Sequence, residues 1–268
     1  LWIKKNLKKD TQLLVAEVDG YYIGEIARSL RVVRPDIAIL VSIGTQHLVR
    51  FRGSSAALTR SLLEVFEANP EAIRVYPTSL AKTVGTRSGD IVVTTSAEDD
   101  ALSESQRLDL ALALHAAEVL AVPARVIAAA RTTLSVPERR QHRTRLHGYD
   151  MIDDSYNISL ETARAALMAA STAAKEVGKK LLVITAGIPE GGQDSARLNE
   201  ELGRLLSAQA NGVALLSSDF AHQVLRGITD TAVMHYPDLG TFWQSAQSTF
   251  PSHEWFLLVQ PELTDLYY

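Results

Sequence analysis

Short apolar runs alternate with amphipathic stretches of helical period along most of this chain. The run Ile37-Ala38-Ile39-Leu40-Val41-Ser42-Ile43 is rich in β-branched residues and reads as a buried parallel strand. Before it, Gln12-Leu13-Leu14-Val15-Ala16-Glu17-Val18 reads as a strand ending in an acid, Gly20 to Gly24 as a loop, and Glu25 to Arg31 as a short helix. A loop through His47 leads to a helix expected over Ser54 to Ala68. Residues Ile73 to Ala101, punctuated by Pro77, Gly85 and Gly89, read as a small hairpin region. Ser103 to Leu120 is a helix opened by a capping-box pattern, Ser103-Glu104-Ser105-Gln106, and Ala124 to Thr133 is another.

Ser135-Val136-Pro137-Glu138-Arg139-Arg140 is polar and proline-punctuated and reads as a hinge. Beyond it, strands are expected near Leu146 to Ile152, Lys180 to Thr185, Gly212 to Leu216, Ala232 to Tyr236 and Glu254 to Val259. Helices fall between them, near Ser159 to Val177, Ser195 to Ala210, Ala221 to Arg226 and Leu239 to Thr249. That rhythm predicts an α/β fold with a doubly wound, mostly parallel sheet.

Composition narrows the class without naming a function. The 268 residues are 46% hydrophobic and 22% charged, as in ordinary globular domains. A net charge of -4 supplies no basic field for nucleic acid or an anionic membrane. With no cysteine, disulfides and thiolate metal sites are excluded, and a reducing compartment is a consistent setting. No apolar run is long enough for a membrane-spanning helix, and the basic start Leu1-Trp2-Ile3-Lys4-Lys5 lacks the apolar core of a signal peptide. The chain does not begin with Met and reads as a fragment of a longer protein.

Chemistry concentrates at Asp153-Asp154-Ser155-Tyr156-Asn157, where a strand hands over to a helix. In open α/β sheets ligands bind at the carboxyl ends of strands, and helix N-termini favour anions. Glu17 and His47 each follow an apolar strand; an oxygen and a nitrogen donor there suit Mg²⁺ or Mn²⁺, or else are an exposed acid and a loop histidine. Asp109 and His115 lie on a helix whose Leu and Ala positions must be core. Arg139, Arg140, Arg143 and Arg145 are either a solvated linker or a device for reaching phosphate. Gly187, Gly191 and Gly192 form a turn after a strand, but no Lys-Ser/Thr follows them, so it is not a P-loop. Neither Gly-x-Ser-x-Gly nor Gly-x-Gly-x-x-Gly occurs.

Five segments, in order, resemble the Mur ligases, and most of all the branch that adds D-alanyl-D-alanine. They are Glu17 to Ile26, Arg34-Pro35-Asp36-Ile37-Ala38 with Gln46-His47-Leu48, Pro137-Glu138-Arg139, Asp153 to Asn157, and Gly187 to Gly192 with Asn199-Glu200-Glu201-Leu202-Gly203. The resemblance implies a partial central P-loop-type α/β domain lacking its P-loop over residues 1–135, then a doubly wound Rossmann-like C-terminal domain over residues 136–268. It implies a cytoplasmic, ATP-dependent ligase that activates the carboxylate of a UDP-muramoyl peptide as an acyl-phosphate and joins it to an amino acid or dipeptide. By the same resemblance Glu17 and His47 hold Mg²⁺, Arg139 reaches the nucleotide phosphates, and Asp154 meets the ribose. Tyr156 and Asn157 line the nucleotide, Asp109 falls where the family contacts adenine, and no residue is assigned as catalytic.

The sequence also departs from the family. Arg60 occupies the helix where the family carries a lysine, and arginine cannot form a carbamate. Asp109 replaces an Asn, and Val259-Gln260-Pro261-Glu262 replaces a Lys-Gly-Ser strand end. Two expectations follow: a C-terminal fragment of a divergent ligase, inactive alone, or a non-catalytic Mur-like binding or scaffolding module. A generic nucleotide-binding α/β protein is a third.

Overall fold

The computed structural model describes residues 7–45, 47–95 and 102–261. Leu1 to Asn6, Gln46 of the histidine loop, the end of the expected hairpin region from Ser96 to Ala101, and Glu262 lie outside the described residues. The chain divides into two compact units. One lies within Leu1–Ile43, Ser54–Ser96 and Leu108–Pro123; the other within Gly44–Gly53, Ala97–Arg107 and Ala124–Tyr268.

In the first unit, helix α1 (Glu25–Leu30) starts at Gly24, whose φ of 92° suits glycine. The buried Glu64 carboxylate accepts from the N–H groups of Gly24 and Ala27, so a distant acid satisfies the helix N-terminus. Strand β1 (Ile37–Ile39) is followed by helix α2 (Ser55–Leu63), capped by Ser54 and prolonged by a 3₁₀ turn over Glu64–Phe66. Strand β2 (Ile73–Pro77), the short helix α3 (Ala81–Val84) and strand β3 (Ile91–Val93) complete the sheet, in the order β1-β2-β3 and parallel throughout. Ile26, Leu30, Ala38, Phe66 and Tyr76 form its core.

Three expectations fail here. No strand forms over Gln12 to Val18; Leu13 and Val15 stand 56% and 85% exposed. A run counts as a strand only when a neighbour takes up its backbone groups, and among the described residues β1 pairs with β2 alone. The seven-residue strand stops at Ile39, with one further ladder bond from Leu40 N–H to the Val75 carbonyl; Ile39 and Val41 are exposed. The expected hairpin is a parallel crossover from β2 to β3. A buried polar cluster fastens it: Asp90 accepts from Arg74 Nε (2.7 Å), Tyr76 Oη (2.6 Å) and Arg87 N–H (2.9 Å). Burial opposes the charge on Asp90, but these bonds hold its carboxyl far below the usual carboxylate range.

Helix α4 (Glu104–Val119) opens with the expected capping box: Ser103 Oγ accepts from Gln106 N–H (3.3 Å) and Gln106 Oε1 from Ser103 N–H (3.0 Å). Helix α5 (Ala124–Arg131) follows.

The second unit carries a larger sheet. Its strands are β4 (His142–Leu146), β5 (Tyr149–Asp153), β6 (Lys180–Thr185), β7 (Gly212–Leu216), β8 (Ala232–Tyr236) and β9 (Trp255–Gln260). Helices α6 (Leu160–Glu176), α7 (Ser195–Gln209), α8 (Ala221–Gly227) and α9 (Leu239–Thr249) alternate with them. Strand order is β4-β5-β9-β6-β7-β8, parallel except for the antiparallel edge strand β4. Leu181 and Val183 point to the side covered by α6, α7 and α8; Leu182 and Ile184 point to the side covered by Phe242 and Ala246 of α9. Period-two alternation with both faces buried is the doubly wound arrangement the rhythm predicts.

Strand β4 is absent from the sequence reading, which takes Leu146 to Ile152 as one strand. His147 and Gly148, with φ of 50° and 87°, instead make a two-residue hairpin turn. His142-Arg143-Thr144-Arg145 shows no apolar alternation because it borders the sheet, where charge guards an open edge.

Helices α7 and α8 meet backbone to backbone at two glycines. A Cβ on Gly203 would lie 2.1 Å from the Val224 carbonyl oxygen, and one on Gly227 1.9 Å from that of Glu200. Gly203→Ala therefore forces the pair apart. The expected loss is about 1–3 kcal/mol, read as a lower denaturant midpoint. An unchanged midpoint would mean that the two helices do not touch there.

Candidate functional site

At the carboxyl end of β5 the chain turns outward. Asp153 Oδ1 accepts from Ser155 N–H (3.1 Å), which starts the turn. Asp154 turns inward and is 7% exposed. Its N–H donates to the Val259 carbonyl (2.9 Å), so the ladder to β9 runs one residue past the strand. Its Oδ1 accepts from Gln141 N–H (3.0 Å) and its Oδ2 from Gln260 Nε2 (2.9 Å). Burial pushes the Asp154 carboxyl up to about 7, against the two hydrogen bonds and Arg140, and with help from Asp153.

The segment expected as a hinge is fastened to this turn. Arg139 Nε donates to Ser155 Oγ (3.1 Å) and its Nη2 to the Ser155 carbonyl (2.9 Å). Tyr156 N–H returns a bond to the Arg139 carbonyl (3.1 Å), and the Arg140 guanidinium sits 4.1 Å from the Tyr156 ring centroid. Arg139 and Gln141 both adopt φ near 60° (62° and 53°), a left-handed conformation that non-glycine residues hold only when their surroundings impose it. Helix α6 begins beyond the half-exposed Asn157, with Ser159 and Thr162 exchanging capping bonds (3.2 and 2.8 Å).

A second loop follows β6. Asn199, fully buried on α7, clasps it: its Oδ1 accepts from Ile188 N–H (2.8 Å), and its Nδ2 donates to the carbonyls of Ile188 (3.0 Å) and Ser195 (2.9 Å). Gly187 has φ of 90°, and a Cβ there would lie 2.6 Å from Asn199 Oδ1. The loop carries Glu190. One Glu190 oxygen lies 2.6 Å from His47 Nδ1 and accepts from His47 N–H (3.1 Å). The His47 side chain, opposed by burial, holds the Glu190 carboxyl below its usual range.

The structure gathers Arg139, Asp154, Tyr156 and Asn157 at one strand-end turn of the second unit, and it sets His47 beside Glu190 in the same unit. Glu17 and Asp109 belong to the first unit, both exposed, Glu17 in an irregular segment and Asp109 on α4. Among the described residues no group of three or more His, Asp or Glu is placed to hold a metal ion. The four arginines do not form one cluster: Arg143 and Arg145 extend from β4 toward Glu176 (3.5 Å) and Asp150 (4.0 Å). Sequence reasoning misses Gln141, Gln260 and Asn199 as structural partners. Their one signal is an amide residue at a buried strand end or on an apolar helix face.

No protein-family model matches the chain. It is 25% identical over 243 residues to the UDP-N-acetylmuramoyl-tripeptide–D-alanyl-D-alanine ligase of Mycobacterium tuberculosis, covering 76% of this chain and 48% of that protein. Among solved structures, MurF from Acinetobacter baumannii superposes with a TM-score of 0.78 at 20% identity, over 96% of this chain and 63% of that one. A MurF ligase from Thermotoga maritima in complex with ADP gives 0.72 at 21%, over 90% and 61%. The fold is that of the Mur ligases. The resemblance read from the sequence, of the D-alanyl-D-alanine-adding type, agrees with the curated relative, and the solved structures agree with it in fold. The chain spans about half the length of the curated Mur relatives it matches.

Within this Mur fold Asn199 holds the loop that presents Glu190. Asn199→Ala leaves the buried Ile188 N–H and carbonyl without partners, at an expected cost of about 1–3 kcal/mol. Chemical denaturation checks this; a variant as stable as the parent would show that the loop holds without its clasp.

Proposed function

We propose that this chain is part of an ATP-dependent ligase that joins an amino acid or dipeptide to a UDP-muramoyl peptide through an acyl-phosphate. One observation carries the reading. Within a Mur ligase fold, Arg139, Asp154, Tyr156 and Asn157 collect at the carboxyl ends of β5 and β9, where an open α/β sheet binds its ligands. In this reading residues 1–135 correspond to the central domain and residues 136–268 to the C-terminal domain. Tyr156 and Asn157, half-exposed, would line the nucleotide and Arg139 would meet the phosphates; Asp154, buried against Gln141 and Gln260, would meet the ribose only on leaving those partners.

Mg²⁺ would offset charge on the transferred phosphoryl group. By the resemblance, Glu17 would supply an oxygen donor and His47 a nitrogen donor of a kind that ion accepts. His47 already faces the Glu190 carboxylate, which would help to fix its imidazole.

The alternative, a non-catalytic Mur-like module, draws support from Arg60. It is exposed near the end of α2 and stays cationic, so it cannot serve as a carbamylated lysine would.

Calorimetric titration of the chain with Mg²⁺ and ATP tests the nucleotide reading. Weak, saturable binding is expected, with Tyr156→Ala lowering affinity about fivefold to tenfold, the worth of roughly 1 kcal/mol of aromatic contact. No binding, or binding indifferent to this change, would sink the assignment of this edge.

A further inference from the structure

We propose that residues 139–141 and 154–156 form a proton-gated latch: Asp154 ties the connector to the end of β9, and loss of its proton favours release of the connector with Arg139 and Arg140. The proposal does not require that a nucleotide bind here.

The geometry is that of a closed device. Asp154 bridges Gln141 N–H (3.0 Å) and Gln260 Nε2 (2.9 Å), so one carboxyl joins the connector to the last strand. Ser155 takes both bonds of Arg139, and Tyr156 holds the Arg139 carbonyl while its ring lies beside Arg140. In this state Ser155 takes two of the Arg139 donor groups and the Arg140 guanidinium lies against the Tyr156 ring. The connector is also wound unfavourably at Arg139 and Gln141, with φ of 62° and 53°, so release would relieve strain.

The proton matters because of what surrounds Asp154. It is buried, and the donors bonded to it are neutral amides. The charged groups that act on it are Asp153, which disfavours its ionisation, and Arg140, which favours it; Arg139 is bonded to Ser155. The side-chain oxygens of Gln141 and Gln260 are both buried with no donor. The neighbourhood is short of donors, and a protonated carboxyl carries one.

The closed latch raises the Asp154 carboxyl to about 7, whereas a hydrated Asp lies near 3.9. A group raised in the closed state contributes its stability in full below its open-state value and loses it as pH rises toward 7. Opening therefore releases a proton between those limits and becomes easier as pH rises.

Amide hydrogen exchange on the intact chain reads this directly. Gln141 and Tyr156 each donate an amide of the latch. After correction for the intrinsic rate, their opening should increase by at least tenfold between pH 5 and 7.5, and level off above. Amides deep in β6, such as Val183, should not follow. Asp154→Asn should flatten the profile. If that variant fails to fold, a carbon-13 titration of the wild-type Asp154 carboxyl decides, with a midpoint near 7 expected. A flat wild-type opening profile, a slope that persists in Asp154→Asn, or a carboxyl midpoint near 4 would each overturn the latch.

Discussion

Strand β9 enters the large sheet between β5 and β6, and that placement sets up the candidate site. It brings Gln260, at the carboxyl end of β9, against Asp154, one residue past the end of β5. The strand has no choice of register, because Phe256 and Leu258 must face α6 to α8 while Leu257 and Val259 face α9. A slip of one residue would reverse every one of these side chains. Packing thus dictates that a carboxyl and an amide share a buried strand end, and the upward shift of the Asp154 carboxyl follows from that burial.

The segments by which the chain resembles its relatives turn out to be joints as much as chemistry. Gly24 and Ile26 begin a helix that Glu64 caps from a distance. Asn199 clasps the loop that bears Glu190, and Gly203 lets α8 approach α7. Asp153 to Asn157 builds a turn before it offers any group to a ligand. A binding module could keep such joints after losing catalysis, which is why motif retention alone does not separate an enzyme from a pseudoenzyme. Arg60 and the residues at the end of β9 carry more weight in that choice than the motifs do.

Much of the fold was legible from hydrophobic period. Every strand from β6 to β9, and helices α6, α7 and α9, fall within a residue or two of where the pattern puts them. Apart from the edge strand β8, these elements bury both faces or one full stripe, so burial writes itself into the sequence. Strand β4 was illegible because His142-Arg143-Thr144-Arg145 carries no apolar alternation. The run from Gln12 to Val18 misled for the opposite reason: it has strand composition but pairs with no strand among the described residues. Arg139, Asp154, Tyr156 and Asn157, singled out from the sequence, lie together at one strand-end turn, but their bonds were not legible. Gln141 and Gln260 are ordinary polar residues until tertiary structure sets them around one carboxyl.

The central claim is that the carboxyl edge of β5 and β9 is where this Mur fold meets a nucleotide. Amide chemical-shift mapping of the chain during titration with ADP and Mg²⁺ tests it most directly. The account predicts saturable shifts concentrated at residues 139–141, 154–158 and 186–192, with β7 and β8 unmoved. Shifts confined to other surfaces, or none at saturating nucleotide, would contradict it.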